Sequence, residues 1–405
     1  MGDVSKPLQG IRVVDFSRVL SGPFCTMLLA DMGAVITKVE PPAGDETRTW
    51  GPPFAAGESA YFLSVNRNKR SIVLDLHSHA DTAIAHQLAQ NADVVIENFR
   101  PGTAKRLGID YDVVKTFNQR LIYCSISGFG QEGPYKNMPG YDLVAQAMSG
   151  LMALTGDPVG EPMKAGIPVA DMVTGLYATI AILAALVKRF HGDGWEGEYI
   201  DLALLDSQVS MLQSVASNFF LSGQPLQRYG NAHPNIVPYQ AFPTQDGMII
   251  LTVGNDGQFS RLCEILSHPE WEKLRRFRTN QDRLAHRQEM VQLISEALAF
   301  HPSHYWLSLI ESAGIPCAPV LGLSEIVATP HSRHREMVWS VEHPTVGNFN
   351  MLGNPIHFAS SRLADGIQPP PRLGEHSVQV LRELGYDDPW IRKWLRNHRE
   401  AVRSE

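Results

Sequence analysis

Asp171 is the residue whose type and position are best suited to chemistry. It lies where the apolar, extended stretch 165–170 gives way to the long apolar helical pattern 176–186. An Asp beside a helix start is commonly a cap that accepts hydrogen bonds from free backbone N–H groups, and spacing alone favours that interpretation. The same N–H groups would also fix the geometry of the carboxylate and keep it ionised, as a reacting carboxylate requires.

The elements that must position this residue follow an alternating pattern. Strand-like runs occupy 11–16, 35–39, 71–76, 93–96 and 121–125. The clearest helical interval between them is 82–90, helical patterns dominate 141–219, and the turn at 192–197 leads into a strand at 198–202. Strands that alternate with helices predict a mostly parallel sheet covered on both faces. The sequence therefore predicts an α/β fold with a Rossmann-like sheet in its large domain.

Three segments of the chain are expected to differ in organisation. Residues 1–224 form the N-terminal part of the large domain, and residues 225–325 form a smaller α/β domain that begins after the Gly-Gln-Pro break. Residues 326–405 alternate as strands and end in short helices. No stretch matches the glycine patterns that bind dinucleotides or ATP, so neither ligand is expected.

Composition narrows the class of protein further. The 405 residues are 44% hydrophobic, enough for two domains with cores, and the formal charge of −7 argues against a nucleic-acid partner. No run of about 18 uncharged apolar residues and no signal-peptide region occurs, so no membrane partner is expected. The cysteines lack metal-ligand spacing and are expected to be buried free thiols; they are Cys25, Cys124, Cys263 and Cys317. These features predict a cytoplasmic enzyme with no bound metal.

Several short motifs, in a fixed order along nearly the whole chain, resemble one known family. They are LQGIRVVDFSRVLSGP at 8–23, GAVITKVE at 33–40, NRNKRSI at 66–72, VIENFRPG at 95–102, SGFG at 127–130, GIPCAPV at 314–320 and LGEH at 373–376. Each motif alone is weak, but together they resemble the class III CoA-transferases, the family of formyl-CoA transferase and carnitine CoA-transferase. The resemblance implies that the C-terminal segment returns to the large domain. It also implies a homodimer whose two chains are interlocked.

The resemblance also implies an activity. Members of this family move CoA from an acyl-CoA to a free carboxylic acid, so a CoA thioester is a substrate and no cofactor is permanently bound. The Asp at the position of Asp171 is the family's nucleophile and carries the acyl group as a mixed anhydride on the way to a thioester. A carboxylate suits this role because the anhydride is reactive enough to accept a thiolate or a carboxylate again.

Candidates for the CoA moiety come from contacts that the family makes and from the chemistry that CoA requires. They are Val19, Leu20, Ser21, Leu74, Asn98, Phe99, Arg100, Arg106, Tyr141 and Asp142. Backbone atoms are expected to make the contacts at the first four. The next four follow the strand 93–96, and the carboxyl end of a parallel strand is where ligands bind in such sheets. An Arg near the phosphates is also what CoA requires.

This chain departs from the family pattern in two places. Pro41 stands where the family has an Arg, so Lys38 or Arg48 is expected to serve the phosphates instead. The run 139–142 keeps a Tyr and an acid but lacks the Lys that precedes them in formyl-CoA transferase. The basic run 66–70 has an ordinary interpretation as a solvated turn.

Two loops are candidates for the acceptor side of the site. Gly254, Gly257 and Gln258 follow a predicted strand, where formyl-CoA transferase has a mobile glycine-rich loop, and backbone N–H groups there would stabilise an oxyanion. An ordinary strand-to-helix turn explains this loop equally well. His233, in the polar loop 230–235, is a candidate for the acceptor pocket, although a lone His in a loop is more commonly just exposed.

Two other functions stay open at this stage. An acyl-CoA racemase of the α-methylacyl type needs a His–Asp pair, and Tyr141 stands where racemases have that His, which favours a transferase. A non-catalytic CoA-binding subunit would be favoured only if Asp171 were absent or blocked. The less glycine-rich loop at 254–258 resembles that of transferases of small dicarboxylates, with succinyl-CoA as the donor.

Overall fold

The computed structural model describes residues 6–192 and 194–403, with side chains through 396. Its strands are β1 (Arg12–Asp15), β2 (Val35–Glu40), β3 (Phe54–Ala55), β4 (Glu58–Ser59), β5 (Lys69–Val73), β6 (Val94–Glu97), β7 (Ile122–Ser127), β8 (Glu198–Ala203), β9 (Tyr239–Pro243), β10 (Met248–Thr252), β11 (Cys317–Pro319), β12 (Val338–His343) and β13 (Gly347–Leu352).

The α-helices cover one face or the other of these strands, or connect them. They are α1 (Ser21–Asp31), α2 (Ala60–Ser64), α3 (His79–Gln90), α4 (Thr103–Arg106), α5 (Tyr111–Lys115), α6 (Asp142–Met148), α7 (Leu151–Leu154), α8 (Val169–His191), α9 (Leu204–Ser210), α10 (Gln213–Ser222), α11 (Asp256–Ile265), α12 (Asn280–Ala285), α13 (Arg287–Leu298), α14 (Ser303–Ser312), α15 (Leu323–Ala328), α16 (Pro330–His334), α17 (Ser377–Glu383) and α18 (Asp388–Arg403).

The main sheet has six parallel strands in the order β5-β2-β1-β6-β7-β8. The chain builds outward from β1 through β2 to β5, then returns to the other side of β1 to add β6, β7 and β8. The carboxyl ends of β1 and β6 therefore diverge at a topological switch point, where open α/β sheets bind their ligands. The predicted α/β fold with a mostly parallel sheet is confirmed.

Both faces of this sheet are buried, as the apolar character of the strands requires. Val13 and Val14 are neighbours on β1 and point to opposite faces, because side chains alternate along a strand. Val13 belongs to the core that includes α1, α8 and the hairpin β12–β13. Val14 belongs to the core that includes α3, α17 and α18. Helix layers on both sides explain why these strands read as continuous apolar runs.

Helix α8 is the longest helix in the described residues and crosses one face of the sheet. Its buried side includes Ala178 and Ile182, which pack in the same core as Leu29 of α1. By length and composition α8 is the one described helix that could cross a membrane, and 50% of its most apolar window is buried inside the protein. Helices in the cores of soluble proteins share this length and apolar composition.

The chain divides into two compact units. The first contains residues 1–152, 164–223 and 330–405, so the C-terminal segment packs with the large sheet. The second contains residues 153–163 and 224–329. Its three-stranded antiparallel sheet, β11-β10-β9, packs against helices through a core that includes Ile249 and Phe259. The short segment 153–163 belongs to the second unit, whereas the sequence predicts it in the large domain.

Candidate active site

A cavity of ≈ 120 Å³ lies at the switch point between β1 and β6. Its lining includes residues that follow these two strands, residues at the end of β7, and residues at or near the starts of α6, α8 and α9. The lining residues are Arg18, Val19, Ser21, Glu46, Asn98, Arg100, Ile126, Ser127, Gly128, Gly140, Tyr141, Asp171 and Leu204. Separate stretches of the sequence thus meet where the topology of the sheet favours a ligand.

Asp171 is the buried acid of this cavity. It is the third residue of α8 and is 8% exposed. Ser21, the first residue of α1, acts on its carboxylate through its hydroxyl and backbone N–H groups, both of which favour the charged form. The carboxylate of one helix therefore lies at the positive N-terminal end of another, which stabilises negative charge there.

A different acid caps α8. The carboxylate Oδ1 of Asp142 accepts hydrogen bonds from the backbone N–H groups of Ala170, at 2.7 Å, and of Asp171, at 3.3 Å. The other oxygen accepts from Gln146 Nε2 at 2.6 Å. Asp142 thus satisfies the free N–H groups at the start of α8, and the Asp171 carboxylate is left to face the cavity. The cap interpretation applies to Asp142 and not to Asp171.

The surroundings of Asp171 raise the pKa of its carboxyl to about 7. Burial is the largest cause, and the negative charge of Asp142 adds to it, while the hydrogen bonds from Ser21 act in the opposite direction. Burial disfavours the charged form because low-dielectric surroundings solvate it poorly. An acid that is poised near neutral pH inside a cavity is characteristic of a reacting group.

Replacing Asp142 with Asn should move the acid limb of the activity profile to lower pH. A nucleophilic Asp171 is active only when ionised, so activity should rise as pH rises through about 7, the pKa of Asp171. Removing the neighbouring charge lowers that pKa, by about one pH unit for a close like charge. The amide introduced by Asp142→Asn keeps an oxygen to cap α8.

The pH dependence of kcat/KM measures the effect, and Asp206→Asn, at an exposed position in the first turn of α9, is the matched control. An unmoved acid limb would contradict the pairing of the two acids.

The loop that leads from β1 into α1 has an unusual backbone. Val19 has a φ of +65°, a left-handed conformation that costs a β-branched residue about 1–3 kcal/mol. The side chain of Asn98 holds this loop from the end of the neighbouring strand β6. Its Oδ1 accepts from the backbone N–H of Arg18 at 2.8 Å, and its Nδ2 donates to the Arg18 carbonyl at 2.6 Å. The strained loop places Val19 and Ser21 in the wall of the cavity.

Two pairs of elements approach so closely that only glycine fits between them. A Cβ on Gly175 would lie 2.7 Å from the backbone oxygen of Ser21, so this glycine lets α8 rest directly on α1. A Cβ on Gly128 would lie 2.8 Å from the Cα of Gly140, and both glycines line the cavity. The first of these approaches holds α8, and with it Asp171, directly against the start of α1.

The predicted phosphate ligands Lys38 and Arg48 do not face the cavity. The ammonium of Lys38 is 1% exposed, lies 2.8 Å from Asp45 and donates to the Ser17 carbonyl at 2.7 Å. The guanidinium of Arg48 forms a two-pronged contact with Glu40, at 2.7 and 2.8 Å. A buried cation separated from its partner leaves an unpaired charge, which is costly. Both residues therefore support the fold, and this part of the sequence prediction is corrected.

The basic run 66–70 is not a solvated turn either. Arg67 is buried and forms an ion pair with Asp31 of α1 at 2.6 Å. Lys69 is buried and lies 3.3 Å from Asp15 of β1. Burial without full compensation lowers the pKa of Lys69 to about 8. The run ties β5 to the neighbouring elements inside the large unit.

Other residues carried over from the family lie around the cavity or behind it. Leu20 is buried in a cluster with Met27 and Val65, and Leu74 is buried in the core, so only their backbone atoms remain for a ligand. Arg106 is exposed on α4, where its guanidinium donates to Thr103 at 3.0 Å. It is absent from the lining of the cavity.

The candidates for the acceptor side all lie in the second unit. The backbone N–H of Gly254 donates to the side chain of Gln258 at 2.7 Å, and Asn255 caps α11. Gly257 lies in the first turn of that helix. These bonds are those of an ordinary strand-to-helix turn, the alternative interpretation of the loop. The His233 ring accepts from the backbone N–H of Asn235 at 3.0 Å and packs on Tyr239.

Several residues of the site were not predicted from the sequence. Arg18 and Glu46 line the cavity although neither was singled out. Arg18 had one usable signal, since it closely follows the end of β1, at the same edge of the sheet as Asn98. Tyr61 was also missed; burial and the charge of Asp171 raise its pKa to about 12. Within residues 6–192 and 194–396, no group of three or more His, Cys, Asp or Glu side chains is arranged to hold a metal ion.

Comparison with known proteins shows which family the chain belongs to. A profile of CoA-transferase family III matches residues 8–377. The chain belongs to CoA-transferase family III. It is 42% identical over 392 residues to the human succinyl-CoA:glutarate CoA-transferase, covering 96% of this chain and 89% of that one. It is 45% identical over 385 residues to the succinate–glutarate CoA-transferase of Agrobacterium fabrum, covering 93% and 96%.

Solved structures lead to the same family. The crystal structure of a CAIB/BAIF family protein from Brucella suis has a TM-score of 0.83 and 40% sequence identity, and the match covers 94% of this chain and 100% of that one. The protein is therefore a class III CoA-transferase, and CoA thioesters are its substrates. The predicted family and enzyme class are confirmed.

Proposed function

We propose that this protein transfers CoA from succinyl-CoA to a small dicarboxylic acid, with Asp171 as the nucleophile. The observation that carries the proposal is the buried carboxylate of Asp171, which faces the cavity at the switch point with a pKa of about 7. The printed activities of the relatives supply the substrate class, since both transfer CoA between succinate and glutarate.

The reaction conserves the thioester because each step exchanges one activated carbonyl for another. The Asp171 carboxylate attacks the carbonyl carbon of the acyl-CoA, the carbon–sulfur bond breaks, and CoA leaves as a thiolate. The thiolate then attacks the Asp171 carbonyl of the mixed anhydride and releases the donor acid. The acceptor carboxylate attacks the Asp171 thioester, expels the CoA thiolate and forms a second mixed anhydride. The thiolate then attacks the acceptor carbonyl of that anhydride, which forms the new acyl-CoA and releases the Asp171 carboxylate.

The N-terminus of α1 supplies the electrostatic part of this mechanism. The Ser21 hydroxyl and N–H groups favour the ionised form of the Asp171 carboxylate. The same donors and the positive end of α1 stabilise the negative charge that develops on each tetrahedral intermediate. Water is kept from the anhydride because Asp171 is buried in the wall of the cavity.

CoA is bound by residues around the cavity mouth. Asn98, Arg100 and Tyr141 line the cavity, and Phe99 and Arg106 follow on the same edge of the sheet. With Lys38 and Arg48 occupied inside the fold, Arg106, which lies outside the lining of the cavity, is the cation that we assign to the phosphates. Arg100, which lines the cavity, is assigned to the part of CoA nearer the thioester. We also propose the cytoplasm as the location, as the sequence predicts.

We further propose a homodimer. Leu176, Ile180, Val187 and Phe190 share one face of α8, because they recur at i, i+4, i+11 and i+14. Ile180 and Phe190 are 60% and 74% exposed, and Leu221 of α10 is 90% exposed. An exposed apolar helix face of this kind marks a subunit contact. A second copy of the chain fits it because most oligomers of soluble proteins are symmetric homo-oligomers.

One experiment tests the transferase against the racemase. Enzyme, succinyl-CoA and glutarate in heavy water should yield glutaryl-CoA, and hydroxylamine should trap the activated Asp171 as a hydroxamate, seen by mass spectrometry of the peptide. A 2-methylacyl-CoA in the same buffer should gain no deuterium at its α-carbon, because Tyr141 stands where a racemase has its second base. Deuterium uptake at a rate comparable to turnover, without a hydroxamate, would overturn the proposal. A CoA-binding subunit without activity would give neither product.

A further inference from the structure

Arg18 is held in place within the wall of the cavity that contains Asp171. Both backbone polar groups of Arg18 are clamped by the side chain of Asn98, at 2.8 and 2.6 Å. Its guanidinium lies over the ring of Phe99, 5.6 Å from the ring centre. A cation over an aromatic face keeps its charge while its orientation is restricted. The position of this charge is therefore determined by the fold.

The guanidinium of Arg18 makes only weak polar interactions within the part of the chain that the structure describes. Its closest acid is Glu46, at 3.9 Å, with both side chains about two-fifths exposed, and ion pairs of that length and exposure are weak. Its Nε is buried and has no hydrogen-bond partner among the residues that the structure describes. By contrast, Arg48 makes a two-pronged contact with Glu40 nearby. Arg18 retains donors for an additional anion, and its planar fork matches a carboxylate.

We propose that Arg18 binds the free carboxylate of the dicarboxylic acyl group while the carbonyl to be attacked faces Asp171. This inference rests on the proposed function and adds a specificity-determining residue to it. Donor and acceptor acids both carry a second carboxylate, so one cation serves both halves of the reaction. An uncharged acyl group would leave the Arg18 donors unpaired in a partly buried wall, and a site built for a polar group rejects analogues that lack it.

The size of the cavity decides between an acyl carboxylate and a CoA phosphate as the anion. Arg18 and Asp171 line the same space of ≈ 120 Å³. The two ends of a small dicarboxylic acid are separated by only a few bonds, so one such acid reaches both residues. The diphosphate of CoA is separated from the reacting sulfur by the whole pantetheine arm, which is far too long to be contained in that space. The geometry therefore assigns Arg18 to the acyl group.

The test compares Arg18→Gln, Arg18→Lys and a matched control, Arg120→Gln, in the full-length enzyme. Arg120 is exposed and closely precedes β7, at the opposite edge of the sheet from the cavity. For each variant, kcat/KM for succinyl-CoA and the inhibition constant of free CoA are measured. Free CoA has all the phosphates and no acyl carboxylate, so it reports binding of the CoA moiety, phosphates included, without the acyl group. Thermal melting verifies that each variant is folded.

We expect Arg18→Gln to lower kcat/KM for succinyl-CoA by ~100-fold, because the charge that holds the acyl carboxylate is removed. Arg18→Lys should lower it by ~10-fold, because a point charge remains without the planar fork. The inhibition constant of free CoA should stay within about threefold, and Arg120→Gln should change neither quantity.

Parallel decreases in kcat/KM for succinyl-CoA and in the affinity for free CoA would overturn the inference in favour of a phosphate contact. Unchanged kinetics for succinyl-CoA in Arg18→Gln would also overturn it. The proposed function fails separately, if the wild-type enzyme gives no Asp171 hydroxamate with succinyl-CoA.

Discussion

Replacing Asp171 with Asn should lower kcat for CoA transfer by at least ~10³-fold, because the amide keeps the shape of the side chain and loses its nucleophilicity. The hydroxamate at position 171 should disappear as well. Steady-state transfer from succinyl-CoA to glutarate measures the first effect, and peptide mass spectrometry measures the second. A variant that retains activity within about tenfold of the wild type would contradict a covalent mechanism through this residue.

The loss of activity should not come from unfolding. Burial raises the pKa of Asp171 to about 7, so the native state binds its proton more tightly than the unfolded state. The stabilisation that this proton provides is present at acid pH and is lost as pH rises towards 7. At pH 8 the wild type contains an ionised buried carboxylate, whereas the Asp171→Asn variant has a neutral amide in its place. The variant should therefore melt at or above the wild-type temperature, and Asp206→Asn, at an exposed position of α9, should change neither melting nor activity.

Replacing Gly175 with Ala should reduce both stability and activity by separating α8 from α1. The new Cβ would lie 2.7 Å from the Ser21 backbone oxygen and 3.0 Å from the Phe24 ring. A backbone oxygen cannot turn aside, so the helices must move, at a cost of about 1–3 kcal/mol. The better helix propensity of Ala offsets about 1 kcal/mol of that cost. Moving Asp171 away from Ser21 should lower kcat by ~100-fold, as expected for a misplaced reacting group.

Gly166→Ala is the matched control for this prediction. Gly166 lies in the loop before α8, and a Cβ there would meet nothing within 4 Å. Melting temperature and kcat of the two glycine variants should be measured side by side. Wild-type values for Gly175→Ala would show that the contact between α1 and α8 does not position Asp171. A decrease in Gly166→Ala alone would place the sensitive region in the loop instead.

The sequence by itself determined the class of fold and singled out the acid that we propose as the nucleophile. Apolar runs such as 35–39 and 121–125 encode strands locally, so their alternation with helices predicted a parallel sheet that the structure confirms. The family motifs are contiguous and were recognisable without coordinates. Asp171 could be singled out because it closely precedes the apolar pattern of α8. Arg100 could be found because it closely follows a strand.

Only the tertiary structure decided which charged side chains face the cavity and which support the fold. Lys38 and Arg18 are both basic and both lie near the carboxyl ends of strands, yet Lys38 is enclosed with Asp45 and Arg18 lines the cavity. The cap of α8 comes from Asp142, which is 29 positions from Asp171 in sequence. Burial and ion pairing depend on neighbours that are remote in sequence. For that reason the local pattern predicted Asp171, whereas the environment that raises its pKa emerged only when α1, α6 and α8 packed together.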